Sequence, residues 1–350
     1  MPRRNGIYMV FLLNAMRYAE LQATSNFSFL RGGSHPDELV EQANAFGYEA
    51  IAITDRNSLA GIVRAHVAAK KLPVKFIPAC RLDLLDGPSL LAYPTDRDAY
   101  GRLSALLTLG NLRAEKGECH LYKADVYAHK QDIKFIIVPP AALNERFDYD
   151  DDFKQHVAQY RKAFGRHVYM AATRSYSGDD AKQLYRLAQL NLPMVAVGDI
   201  HYHEPARREL QDVLTCIREK CTIHNAGFRL HANAERFIKP IDEVHRLFRD
   251  YPEAIDNALS IAEACTFSLD TLKYIEPEEK IMDGLTPQEC LTKYTWAGAL
   301  ERYGGKVPKK VADQLKFELA FIEKRKLAPY FLRVYKYTQK AEELASTAAR

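Results

Sequence analysis

The chain has 350 residues, 47% of them hydrophobic and 27% charged, which suffices for one large α/β domain with an appendage or for two domains. Its 49 Lys and Arg against 45 Asp and Glu give a formal charge of +4, too mild to argue for nucleic acid by itself. Six cysteines without a CxxC pair signal neither a zinc finger nor a disulfide framework and fit reduced thiols in a cytosolic protein. No apolar run approaches the roughly 20 residues that cross a membrane.

Residues 1–17 are a leader of uncertain origin. Met1-Pro2-Arg3-Arg4 and the apolar stretch 7–13 have the parts of a signal peptide, but the apolar part is short and no small-x-small site follows. A strand at 18–23 meets the polar turn Thr24-Ser25-Asn26. Ser34 reads as the N-cap of a helix with Pro36, Asp37 and Glu38 in its first turn and an apolar stripe of Leu39, Val40, Ala43 and Phe46, ended by Gly47. The branched run Ile51-Ala52-Ile53 then delivers Asp55 to a strand end. A helix at 59–71, strands at 73–77 and 90–93 and a helix at 98–109 follow. Next come a strand at 135–138, a helix at 152–164, a strand at 167–171 and a helix at 179–190. A strand at 194–198 runs into Asp199 and His201. The helix at 207–218 places Leu210, Val213, Leu214 and Ile217 on one face.

About seven strands alternating with helices predict parallel βα units and favour a barrel over an open sheet. Beyond His231 only helices are predicted, at 241–248, 253–265, 287–303 and 308–326, so a helical region begins near residue 232. Residues 336–350 read as a polar, Ala-rich tail without an apolar face wide enough to demand packing, frayed or disordered.

Asp55, Asp199 and His201 are the candidate metal ligands, because oxygen and imidazole donors at strand ends can hold Zn, Mn or Mg for phosphoester hydrolysis. The plainer alternative makes Asp55 a cap for the helix at 59 and His201 a hydrogen-bonded loop residue. Thr24 and Asn26 stand where a His-x-His pair would have completed a cluster. Arg56 and Arg81, read as following strands, suit phosphate, or else pair with Asp55, Asp83 or Asp86. His203, His120 and Cys119 are spare donors in polar, solvent-facing segments. Gly32-Gly33 could cradle an anion or simply turn the chain. Lys309, Lys310, Lys316, Lys324, Arg325 and Lys326 form either a DNA-backbone contact or a solvated helix face.

Several segments resemble the N-terminal part of bacterial C-family DNA polymerases, the DNA polymerase III α-subunit family, and within it the error-prone branch. They include Tyr18-Ala19-Glu20-Leu21, residues 25–32, residues 52–61, Cys80-Arg81-Leu82-Asp83-Leu84, residues 116–121, Gly198-Asp199-Ile200-His201 and Ala328-Pro329-Tyr330-Phe331-Leu332. The resemblance implies a polymerase-and-histidinol-phosphatase (PHP) domain over 18–275, built as a distorted seven-stranded (β/α) barrel. The start of a polymerase palm region would follow over 276–335, with a strand at 330–332, and then a divergent tail over 336–350.

In metal-binding members of the resembled family the first motif supplies two histidines, here Thr24 and Asn26, and then an aspartate, here Arg31. A histidine is replaced by Arg56 and a glutamate by Arg81, while Asp55, Asp199 and His201 match. The resemblance therefore implies a barrel that serves as a scaffold without phosphoesterase or exonuclease activity and without a cofactor, the alternative being a weak hydrolase with a divalent metal. It implies DNA as partner through the parent polymerase, possible replication or translesion proteins, no membrane, and a cytoplasmic setting. The expected continuation into nucleotide-binding and catalytic-aspartate motifs does not follow Val334, so a truncated or frame-shifted reading frame that does not polymerise DNA alone is expected, with an upstream-extended start.

Overall fold

Short runs of branched and small apolar residues form strands buried on both faces, the pattern expected where helices cover a sheet from outside. The computed structural model describes residues 16–273 and 284–348. β1 (Ala19–Ala23), β2 (Ala50–Ile53) and β3 (Lys75–Pro78) form a parallel sheet in that order. β4 (Cys80–Leu82), β5 (Leu90–Pro94), β6 (Ile133–Ile137), β7 (Val168–Thr173) and β8 (Met194–Val197) form the second sheet. Only Ala79 separates β3 from β4, so these are two halves of one bent strand that serves both sheets, and the chain makes seven passages.

Two isolated pairings join the sheets. Arg56 bridges Arg81 on one side, and Ala23 bridges Ile200 on the other. There Thr24 N–H donates to the Ile200 carbonyl at 2.8 Å and Ile200 N–H to the Gln22 carbonyl at 2.9 Å. The result is the distorted α/β barrel expected from the sequence. Its strands are not all parallel, however: β4–β5 and β5–β6 are antiparallel, because the short connection over 83–89 turns the chain back into β5 without a crossover helix.

Helices α1 (Pro36–Ala45), α2 (Ile62–Ala69), α3 (Arg97–Leu112), α4 (Lys123–Ala128), α5 (Asp151–Phe164), α6 (Asp180–Ala188), α7 (Arg208–Arg218), α8 (Ile241–Leu247) and α9 (Pro252–Ala264) complete the first unit, which ends at Leu272. Among the described residues only helices follow residue 232, as expected, but the second unit begins at Lys273 and not there. Val244, Ile255, Ala258 and Ile261 belong to the barrel's core, and Asn257 of α9 donates to the Met194 carbonyl of β8 at 2.8 Å.

The second unit, from Lys273, holds α10 (Pro287–Arg302), α11 (Lys309–Arg325) and α12 (Ala328–Ala348) around Cys290, Leu291, Leu319, Ala328 and Leu332. Residues 330–332, expected as a strand, lie on the first turns of α12, and the described part of the 336–350 tail continues that helix to Ala348. Ala328 and Leu332 are buried four apart, and the Ala-, Lys- and Glu-rich sequence beyond them propagates the helix by intrinsic propensity. The predicted leader lies outside the described residues, apart from Met16 and Arg17.

Three local readings change. His35, not Ser34, is the N-cap of α1, its N–H held by the Glu38 carboxylate at 2.8 Å. Arg81 does not follow a strand but occupies the middle of β4. On α7, Leu210, Val213 and Ile217 are exposed while Gln211 and Thr215 are buried. This helix turns its polar side inward because it covers a polar cleft rather than the apolar barrel.

Candidate functional site

The chain leaves β2 through Thr54 and Asp55 into a socket made by the loop after β1. Asp55, 1% exposed, accepts from Ser25 N–H at 2.8 Å, Ser25 Oγ at 2.7 Å and Ser28 Oγ at 2.7 Å. Gly61 fits here because a Cβ would stand 2.7 Å from Asp55 Oδ2. Burial pushes the carboxyl up, and the serine donors pull against that shift. Asp55 is thus neither the cap of the following helix, whose N-cap is Gly61, nor part of the cleft wall. It pins two loops together.

Asp199 is held differently. It follows β8 with a left-handed φ of +46°, strained for a non-glycine residue. One carboxylate oxygen is ion-paired with Arg236, and the other accepts from Gln22 Nε2 at 2.7 Å and lies 3.7 Å from His201 Nε2. The His201 ring meets His231 edge-on at 5.2 Å, and its Nδ1 is buried without a hydrogen-bond partner among the described residues.

Asp199 and His201 open into a cleft of about 950 Å³, also lined by Arg31, Arg56, Arg81, Arg218 and Arg236. Asp83 bridges two of these cations, 2.7 Å from Arg56 Nη1 and 2.8 Å from Arg81 Nε. Burial works against its charge, but Arg81 and Arg56 bring Asp83 down to about 2. Burial and then Arg56, Arg81, Arg31 and Arg218 push His201 down to about 3, so its imidazole is neutral at physiological pH. Burial and His201 bring His231 down to about 4. Arg31 itself is lowered to about 10 by burial and by repulsion from Arg56 and Arg218.

The fold therefore unites Asp199, His201, Arg56 and Arg81 in one cleft and leaves Asp55 behind it. Among the described residues no group of three His, Cys, Asp or Glu side chains is arranged to hold a metal ion. His203 is turned onto Ser34, 2.7 Å from its Oγ, and His120 onto Glu118 at 3.1 Å. Cys119 is not solvent-facing but packs against the core. Gly32-Gly33 is no anion cradle: Gly33 N–H is spent on the His201 carbonyl at 2.7 Å, and a Cβ on Gly32 would stand 2.2 Å from the Ser25 carbonyl oxygen. Lys309, Lys310, Lys316, Lys324 and Arg325 are exposed on α11, in the second unit. Sequence reasoning gave no functional role to Arg218, Arg236, Asp83, His231, Ser25 or Ser28. The charge changes at Arg31, Arg56 and Arg81, where the resembled family has an aspartate, a histidine and a glutamate, hinted at the cleft's sign, and of the ion pairs offered for Arg56 and Arg81 the structure shows those with Asp83.

Residues 20–175 match the PHP domain family, and residues 289–347 match the family described as the bacterial DNA polymerase III alpha NTPase domain. The chain is 47% identical over 332 residues to the error-prone DNA polymerase of Caulobacter vibrioides, covering 93% of this chain and 30% of that protein. It is 43% identical over 326 residues to error-prone DNA polymerase 1 of Agrobacterium fabrum, covering 92% of this chain and 29% of that protein. The chain thus spans less than a third of the length of these relatives. Among solved structures, an amidohydrolase from Chromobacterium violaceum superimposes with a TM-score of 0.41 at 15% identity, over 53% of this chain and 88% of that one, a likeness too loose to argue from.

Proposed function

We propose, from the premise that the chain belongs to the bacterial DNA polymerase III alpha family and carries its PHP domain, that its barrel is a non-catalytic scaffold of an error-prone DNA polymerase. The parent activity would be template-directed DNA synthesis in translesion repair, in the cytoplasm, with DNA as substrate. No helix among the described residues is long and apolar enough to cross a membrane.

The observation that carries this reading is the fate of the two aspartates. The Asp55 oxygens are already engaged by three donors, and the Arg236 guanidinium lies on Asp199 where a divalent cation would have to sit. Arg31, Arg56, Arg81, Arg218 and Arg236 line the same cleft, and their charge around Asp199 and His201 works against a divalent metal there. Asp199 beside His201 is the one feature that favours the rival reading of a weak metal-dependent phosphoesterase. On α11, Phe317 and Phe321 are exposed among the lysines, a mix of cations and aromatic faces that supports a contact with a nucleic-acid backbone.

The test measures bound metal and hydrolysis of a generic phosphoester and of single-stranded DNA with Zn, Mn and Mg. The chain is compared with its Asp55→Ala/Asp199→Ala/His201→Ala variant. The scaffold reading expects no bound metal and no turnover above the variant. Metal-dependent turnover that the variant abolishes would replace it with the phosphoesterase reading.

A further inference from the structure

The cleft is lined by carboxylates as well as arginines, but Asp86, Asp150 and Asp152 are engaged away from the guanidinium groups, Asp86 by Lys123 N–H at 2.8 Å, Asp150 by Asn144 Nδ2 at 2.9 Å and Asp152 by His156 at 3.5 Å. Asp83 is shared between Arg56 and Arg81, and Arg81 also reaches Ser89 Oγ at 3.2 Å. Arg218 donates to the Leu30 carbonyl at 2.8 Å and pairs with Glu219 at 3.0 Å. Arg31 has no side-chain hydrogen bond or ion pair among the described residues, although its guanidinium lines the cleft and is half-buried. Half-burying a cation beside other cations is unfavourable unless an anion completes the group.

The loop that presents Arg31 is fixed rather than loose. Leu30 is held at a φ of +58°, Arg31 N–H donates to the Ser28 carbonyl at 2.9 Å, and Gly32 packs against the Ser25 backbone. Each anchor bears on the socket around Asp55 or on Arg218, so the backbone that carries Arg31 is positioned before any ligand arrives.

We propose that Arg31, Arg56, Arg81 and Arg218, grouped around His201, form a binding site for a phosphoryl dianion, either free inorganic phosphate or the terminal phosphate of an oligonucleotide. Planar forks that converge from several directions match a tetrahedral anion with several acceptor oxygens better than a planar carboxylate. His201 lines the same cleft, which is large enough for a phosphate with a substituent. This inference goes beyond the scaffold reading and does not depend on it, since a scaffold and a weak hydrolase would both bind the anion.

The test is calorimetric titration of the whole chain at low ionic strength with three probes: inorganic phosphate, a short 5′-phosphorylated oligodeoxynucleotide, and the same oligonucleotide without the terminal phosphate. The variants are Arg31→Gln, Arg31→Lys and, as a control outside the cleft, Arg166→Gln, each checked for folding by circular dichroism. Inorganic phosphate is expected to bind with a dissociation constant of about 1 mM or tighter. Arg31→Gln should weaken it about tenfold or more, Arg31→Lys less, and Arg166→Gln not at all. Binding only of the phosphorylated oligonucleotide, with the same sensitivity to Arg31, would also uphold the site and assign its anion to a polynucleotide end. No binding of either phosphate, or equal binding of both oligonucleotides with no effect of Arg31→Gln, would overturn the proposal. If Arg31→Gln fails to fold, Arg31→Lys decides: an affinity equal to that of the unaltered chain would overturn it.

Discussion

Asp55 and Asp199 follow two buried strands and look alike in sequence, yet they end with opposite neighbours. Asp55 is enclosed by hydroxyl and amide donors contributed by the loop after β1, whereas Asp199 lies in an open cleft against a guanidinium. A strand end places a carboxylate, but the donors that other loops bring to it decide whether it fastens the fold or sets the charge of a surface. A second buried carboxylate, Glu20 on β1, sharpens the contrast. It accepts from Gln22 N–H at 2.8 Å, Gly198 N–H at 3.0 Å and Tyr18 Oη at 3.0 Å, with no cation among these partners.

The largest effect is expected at Asp55. Asp55→Ala strands two hydroxyls and an amide in the socket and should cost about 3–5 kcal/mol in urea unfolding. A loss below about 1 kcal/mol would mean that the socket is not a fastening and would erase its contrast with Asp199.

Glu20 should reveal itself through pH. Burial raises its carboxyl to about 7 from an ordinary 4.5, so between those values the folded chain keeps a proton that the unfolded chain has released. Stability from this group is therefore full below that window and falls as pH rises through it, by at most about 3 kcal/mol. Glu20→Gln, which mimics the protonated acid, should match the unaltered chain near pH 4.5 and exceed it near pH 8. Parallel stability curves for the two proteins would contradict this.

Gly61→Ala is the gentler probe of the Asp55 socket, because the added methyl must displace an oxygen 2.7 Å away. A destabilisation of about 1–3 kcal/mol is expected. It should shrink in an Asp55→Ala background, where the closest contact is gone and Ser25 Oγ at 3.1 Å and Phe27 Cδ2 at 3.2 Å remain, which a double-mutant cycle would read.

Asp199→Ala should cost least, about 1 kcal/mol, because the partly exposed Arg236 can turn toward water. Its larger consequence is electrostatic: removing a carboxylate from the cleft should strengthen inorganic phosphate binding. Unchanged or weaker binding would indicate that Asp199 lies outside the field of the arginine cluster.

The parts of the fold that were legible in the sequence are those carried by local patterns. Ile51-Ala52-Ile53 and residues 194–197 are uninterrupted apolar runs, and both are strands. Most helices stand near where periodicity placed them, as with α10, expected over 287–303 and observed over Pro287–Arg302. β4 was not legible because three residues with an arginine in the middle carry no strand signal, and it exists only because β5 pairs with it. The inward polar face of α7 was hidden for a similar reason. Hydrophobic periodicity predicts which face is apolar, and the direction that face points depends on what the helix covers.

By itself the sequence determined the alternation of strands and helices, the strand-end placement of Asp55, Asp199, Arg56 and His201, and the resemblance carried by ordered motifs, because each is written in contiguous residues whose local physics is the same in any fold. Tertiary structure alone decided that Arg31, Arg81, Arg218 and Arg236 meet at one cleft, that Asp83 is shared by two of them, and that Asp55 stands outside it. Charge acts through space over several ångströms, and residues far apart along the chain, such as Arg31 and Arg218, become neighbours only when the barrel closes through Ala23 and Ile200.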